Sequence, residues 1–238
     1  MKEIIEAVDT YGFSIVDGIF SSFEVNKIID IINQADSNKQ TFRKSADLFA
    51  IRRFLKELPS AAEYILNPKL RSLISTVFGE DYFLVKSIYF DKPESSNWFV
   101  SYHQDLTISV DKIVDLPGFG PYTTKPNQFA VQPPLPILKD NFTLRIHLDD
   151  TDEGNGALKV IPGSHHKGIY KATDINWNTE QELSCNVASG GVMIMKPLLL
   201  HSSGRTTNNK KRRVIHLEFS KQVLPEGLNW AELYELNQ

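Results

Sequence analysis

With 238 residues and 41% hydrophobic side chains, the chain is long enough to close one sizeable core, and a single domain over 1–238 is expected. A formal net charge of -3 gives no basic field of the kind nucleic acid selects, and the one basic cluster, Lys210-Lys211-Arg212-Arg213, reads as a solvated loop entering a strand, Arg212 excepted. The only cysteine, Cys185, excludes an internal disulfide, the first residues lack a signal peptide's apolar core, and no apolar run reaches membrane-spanning length, so a cytoplasmic protein without a membrane partner is expected.

Residues 12–20 have the composition of a strand. Ser21 or Ser22 then caps a helix with Glu24 in its first turn, and Val25, Ile28, Ile29 and Ile32 at helical spacing carry it to about Ala35. Further helices are predicted over 46–58, 61–66 and 69–78, the last closed by Gly79, so residues 1–80 read as mainly helical. Aromatic and β-branched residues then predict strands at 82–90 and 98–105. Residues 106–140 carry Pro117, Gly118, Gly120, Pro121, Pro126, Pro133, Pro134 and Pro136, and read as a long connection forming a flap.

At 142–148 an apolar face of Leu144, Ile146 and Leu148 alternates with a polar face of Thr143, Arg145 and His147. Strands are expected at 157–161, 192–195 and 198–201. Arg212, Val214, His216 and Glu218 then alternate with Arg213, Ile215, Leu217 and Phe219. In both segments the apolar face should pack on helices and the polar face should line a wet cavity. Helices followed by many short strands of this kind predict a mainly β fold, an antiparallel jelly roll (82–220) with the N-terminal helices packed on one sheet.

The strand at 98–105 holds His103-Gln104-Asp105. Residues i and i+2 share a strand face, so His103 and Asp105 can reach one metal with Gln104 turned away. With His201 they would make two imidazoles and one carboxylate on one side of a metal, a set suited to non-haem Fe(II) and O2 chemistry.

The chain resembles the phytanoyl-CoA dioxygenase family of Fe(II)- and 2-oxoglutarate-dependent oxygenases. The resemblance rests on Gly12-Phe13-Ser14-Ile15-Val16, His103-Gln104-Asp105, the Asn155-Gly156-Ala157-Leu158 and Pro162-Gly163-Ser164-His165 run, His201-Ser202-Ser203-Gly204, and Arg212. It implies a double-stranded β-helix, cupin-like, with His103, Asp105 and His201 as iron ligands and as the catalytic set. It implies Fe(II), 2-oxoglutarate and O2 as cofactor and cosubstrates, Arg212 on the distal carboxylate of 2-oxoglutarate, and Ser203 and Lys86 beside it. Arg213 is the competitor for that role, but its place on the apolar face favours Arg212. Arg145 and Thr143 are expected to contact a small-molecule substrate; Lys86, Arg145 and Lys125 would favour an anionic group on it.

The activity implied is hydroxylation of an unactivated C–H bond with decarboxylation of 2-oxoglutarate to succinate. The alternative is a non-catalytic jelly-roll binding protein. Asp105 fills the position a halogenase leaves for halide, and a zinc hydrolase would give Arg212 no role. His147, His165, His166 and His216 read as core or surface residues, with a pocket role open for His216.

Overall fold

The protein, seen here as a computed structural model, is described over residues 1–36, 41–45, 49–125 and 128–236. Helix α1 (Lys2–Tyr11) leads into strand β1 (Phe13–Val16). Helix α2 (Ser22–Asn33), strands β2 (Phe42–Lys44) and β3 (Phe49–Arg52), and helices α3 (Phe54–Glu57), α4 (Ala62–Ile65) and α5 (Pro68–Phe78) follow. Next come β4 (Phe83–Lys92), β5 (Val100–His103), β6 (Ile108–Val110), β7 (Tyr122–Lys125), β8 (Gln128–Val131), α6 (Leu135–Asp140) and β9 (Phe142–His147). The chain ends through β10 (Leu158–Val160), β11 (Leu183–Cys185), β12 (Val192–Met195), β13 (His201–Ser203) and β14 (Arg212–Ser220).

Local chemistry fixes the helical layer. Ser21 Oγ accepts the Glu24 N–H at 3.3 Å and Glu24 Oε2 accepts the Ser21 N–H at 2.8 Å, a reciprocal cap worth about 1 kcal/mol. At the head of α5, Asn67 Oδ1 accepts the Leu70 N–H at 2.8 Å, with Pro68 in the first helical position. The Asn67 amide also donates to Glu24 Oε1 at 2.8 Å, which ties the two helix starts together. Val25, Ile28 and Ile32 of α2 and Leu70, Leu73 and Ile74 of α5 are buried in one cluster with Leu144, Ile146, Ile215, Leu217 and Phe219 of the sheet. Stacked rings join the layers: Phe78 to Phe142 at 3.6 Å between centroids, and Phe142 to Phe219 at 4.9 Å.

The largest sheet runs β1-β12-β9-β14-β4-β3-β2, and a second runs β11-β10-β13-β5. Its strand pairs are antiparallel, as in a jelly roll. Between the sheets, Met193 and Met195 of β12 pack with Leu158, Val160 and Leu199. Polar groups of β4, β9 and β14 line a cavity that Leu158 of this apolar cluster also borders.

Three expectations need correction. The helix over 46–58 is instead strand β3 followed by the single turn α3, with 46–48 outside the described residues. The apolar Phe49-Ala50-Ile51 pairs with β4 on one side and β2 on the other, and that pairing outweighs helical propensity. The strand over 198–201 begins only at His201, because Leu199 N–H bonds back to Lys196 O at 3.0 Å and closes a turn. The connection 106–140 is no irregular loop. It folds as a third sheet, β6-β8-β7, plus α6, around Ile108, Val110, Val131 and Leu138, which pack with Leu224, Leu228 and Trp230. None of its described side chains lines the cavity. Helix α1, whose Val8 is buried, has no counterpart in the sequence reading. Among the described residues, no helix is long and apolar enough to cross a membrane.

Candidate metal centre and cosubstrate pocket

Strands β5 and β13 pair so that His103 stands opposite His201, with ring centroids 4.3 Å apart. Asp105 follows two residues beyond His103, just past the end of β5. Its N–H donates to Pro197 O at 2.9 Å. Gln104, between the two, turns the other way and acts as a clamp. Its amide nitrogen donates to Leu198 O at 2.6 Å and Gly168 O at 2.8 Å, and its oxygen accepts the Tyr170 N–H at 2.8 Å. One residue thus locks the His-x-Asp segment to the turn that delivers His201.

The rings are oriented by their own backbone. His103 Nδ1 lies 2.9 Å from Ser101 O, and His201 Nδ1 lies 2.8 Å from Leu199 O. A carbonyl accepts only, so Nδ1 carries the proton in each ring and Nε2 presents its lone pair. The two Nε2 atoms lie 3.9 and 4.0 Å from the oxygens of Asp105, and one ligand atom from each residue falls within 4.8 Å of the others. Burial works against the Asp105 charge, but His201, His216 and His103 when protonated, together with Lys86, outweigh it and hold the carboxyl down at about 2. Burial pushes His201 down to about 4, Asp105 only partly opposing it, so the ring is neutral and free to ligate near neutral pH. Two imidazoles that turn Nε2 to one point and one carboxylate, their ligand atoms converging and not spent on one another, fit a divalent iron.

The facing wall comes from the inward side of β4, β9 and β14. Lys86, Arg145, Arg212 and His216 line a cavity of about 230 Å³ with the three candidate ligands. Arg212 is buried; its Nη1 donates to Gly156 O and, at 3.2 Å, to Ser203 Oγ, while its Nε has no partner among the described residues. A buried guanidinium with an unspent donor fits a carboxylate. Gly156 makes room for this cluster. Its φ is +85°, and a Cβ there would lie 2.7 Å from Lys92 Nζ and 2.8 Å from Gly204 O. Lys92 is fully buried and gives its ammonium to Gly204 O at 2.5 Å; burial, with Arg212 nearby, pushes it down to about 8.

Lys86 lines the cavity but is paired with Glu218 at 2.6 Å. Glu218 also accepts from His216 Nε2 at 2.9 Å, and His216 Nδ1 meets Arg145 Nη1 at 3.2 Å. Thr143 shares the inward face of β9, yet it is fully buried beside Glu218, lies outside the cavity lining, and its hydroxyl has no partner among the described residues. Arg213 points to the other face and holds Asp149 through two hydrogen bonds of 2.9 and 2.6 Å from its guanidinium. His147 bonds Thr151 at 2.8 Å away from the cavity, and His165 and His166 sit in a turn with both Nε2 atoms on Asp9 O. That turn borders a larger cavity, about 390 Å³, beside α1, α5 and α6, whose lining includes none of the three candidate ligands. The Lys125 side chain lies outside the described residues. Sequence reasoning missed Lys92, because the strand at 82–90 runs two residues further, and it missed the Lys86–Glu218 pairing, which only the β4–β14 register reveals.

The family model for phytanoyl-CoA dioxygenase matches residues 8–214. A probable alpha-ketoglutarate-dependent hypophosphite dioxygenase of Stutzerimonas stutzeri is 24% identical across 88% of this chain and 74% of its own length. Among solved structures, HygX of Streptomyces hygroscopicus with nickel, 2-oxoglutarate and hygromycin B superposes with a TM-score of 0.68 at 16% identity, covering 95% of this chain and 89% of that one. EvdO2 of Micromonospora carbonacea var. aurantiaca, complexed with 2-oxoglutarate, gives 0.65 at 16% identity, covering 95% of each. These likenesses establish the fold. The family model spans most of the chain and both halves of the triad, and on that ground the chain belongs to the phytanoyl-CoA dioxygenase family of 2-oxoglutarate-dependent, non-haem oxygenases.

Proposed function

We propose that this protein hydroxylates an unactivated C–H bond of a small molecule, with His103, Asp105 and His201 holding Fe(II). The observation that carries the reading is the convergence of those three ligand atoms within 4.8 Å, with both Nδ1 atoms already committed to backbone carbonyls. When bound, iron and 2-oxoglutarate supply the oxidising power: 2-oxoglutarate loses CO2 to become succinate, and O2 delivers one oxygen atom to succinate and the other to the substrate.

The chain's own residues position and insulate. Arg212 takes the distal carboxylate of 2-oxoglutarate through its unspent donors, and Ser203, held to Gly156 O at 2.9 Å, borders the same end. Lys86 offers a hydrogen bond but little net charge, since Glu218 neutralises it. Arg145 faces the substrate side. Gln104 keeps both halves of the triad in register. An intact ligand set also argues against a non-catalytic binding protein.

A second reading, oxidation of a P–H bond in a small phosphorus oxyanion, draws on the hypophosphite relative and on the cavity size. A cavity of about 230 Å³ is smaller than the roughly 300–1,000 Å³ of sites for drug-sized ligands, and it must also hold 2-oxoglutarate. Turnover under 18O2 decides. One labelled oxygen in succinate and one in a new alcohol supports C–H hydroxylation; label in phosphite formed from hypophosphite supports the second reading. Succinate without label would refute both.

A further inference from the structure

Two guanidiniums face the cavity, and the cosubstrate brings only one distal carboxylate. Arg145 and Arg212 are 7% and 3% exposed, and no described carboxylate forms an ion pair with either. The other cations nearby are accounted for. Lys86 is held by Glu218, Arg213 by Asp149 on the opposite face of β14, and Lys92 turns its ammonium onto Gly204 O outside the cavity lining. Asp105 draws on Arg145 electrostatically, but it is committed to the metal with the two histidines.

What Arg145 does touch is neutral. Glu218 accepts from His216 Nε2, so that nitrogen carries the ring proton, and Nδ1 is left as the acceptor for Arg145 Nη1 at 3.2 Å. On the rest of the guanidinium, Nε is sealed from solvent with no partner among the described residues, and Nη2 makes no hydrogen bond to a described residue. A buried charge facing a neutral ring is costly unless something charged arrives. Burial depresses Arg145 to about 10 and Arg212 to about 9, with repulsion from Arg145 adding to the latter, in keeping with two cations awaiting two separate anions.

We infer that the primary substrate carries one negatively charged group, a carboxylate or a phosphorus oxyanion, which seats on Arg145 while Arg212 takes the distal carboxylate of 2-oxoglutarate. This rests on the proposed function and narrows its substrate class. The Arg145 guanidinium, which lines the cavity, suits a small oxyanion through a charge-assisted hydrogen bond. The cavity volume limits the group near the metal to a small one, whether it is the whole substrate or the end of a larger one.

The test uses the full chain loaded with Ni(II) and 2-oxoglutarate, so that binding is read calorimetrically without turnover. The probes are hypophosphite and acetate as monoanions and acetamide as the neutral counterpart of acetate. At least one monoanion should bind, with acetamide at least tenfold weaker than acetate or undetectable. Arg145→Gln should weaken the monoanion more than tenfold, and Arg145→Lys should recover part of the loss. The affinity for 2-oxoglutarate should change less than twofold in Arg145→Gln, whereas Arg212→Gln should lower it more than tenfold. If neither monoanion binds more tightly than acetamide, or if Arg145→Gln impairs 2-oxoglutarate as much as Arg212→Gln does, the inference is overturned. Failure of the Ni(II)-loaded wild type to bind 2-oxoglutarate at all would instead strike the proposed function.

Discussion

The two faces of strands β9 and β14 are equally buried and chemically opposite. Outward, Leu144, Ile146, Ile215, Leu217 and Phe219 meet the helices in a continuous apolar layer. Inward, Arg145, Arg212, His216 and Glu218 are nearly as inaccessible, yet they are polar or charged, and the two arginines leave buried donors with no partner among the described residues. Burial on the first face stabilises the fold. Burial on the second costs stability and prepares a site, because an unspent donor in a low dielectric binds an arriving anion more strongly than a solvated one. Substitutions on the two faces should therefore differ in sign as well as in size.

The largest effect belongs outside. Phe219→Ala removes one ring of the Phe78–Phe142–Phe219 stack and should cost about 3–5 kcal/mol in urea unfolding, with loss of activity only in proportion to the unfolded fraction. Inside, Arg212→Ala should weaken 2-oxoglutarate binding by about 2–5 kcal/mol, well over tenfold, without lowering the melting temperature. Its neighbour gives the contrast. Arg213→Ala breaks a half-buried pair with Asp149 and should cost about 2 kcal/mol of stability, leaving 2-oxoglutarate affinity unchanged. A larger loss of 2-oxoglutarate affinity from Arg213→Ala than from Arg212→Ala would mean that the two faces have been exchanged. The smallest effect carries the opposite sign: Arg145→Met removes an unpaired buried charge, and the ligand-free protein should gain about 1 kcal/mol. A destabilised Arg145→Met protein would show that Arg145 is structural.

Much of this contrast is legible in the sequence. A period of two assigns every second residue to one face, so Leu144, Ile146, Ile215 and Leu217 sort from Arg145, Arg212 and His216 without coordinates. The triad is legible through spacing and resemblance together. What the sequence hides depends on register between distant strands. Glu218 pairs with Lys86 because β14 aligns it there, and no local pattern announces that partner. The sheet within 106–140 is hidden differently. Its strands are three or four residues long, too short for a periodic signal, and prolines and glycines surround them. The segment Phe49–Arg52 is a short apolar run that suits helix or strand alike until pairing between β4 and β2 decides it.

The central claim is that His103, Asp105 and His201 form one metal centre that drives 2-oxoglutarate turnover. The most direct test is succinate formation by the metal-stripped protein on adding back Fe(II), with Fe(II) affinity measured in parallel, for the wild type and for His103→Ala, Asp105→Ala and His201→Ala. The account predicts Fe(II)-dependent succinate from the wild type, and sharply weakened Fe(II) binding with no succinate from each variant, all with native circular dichroism. Full activity in two of the three variants, or succinate formation by the stripped wild type without added metal, would contradict it.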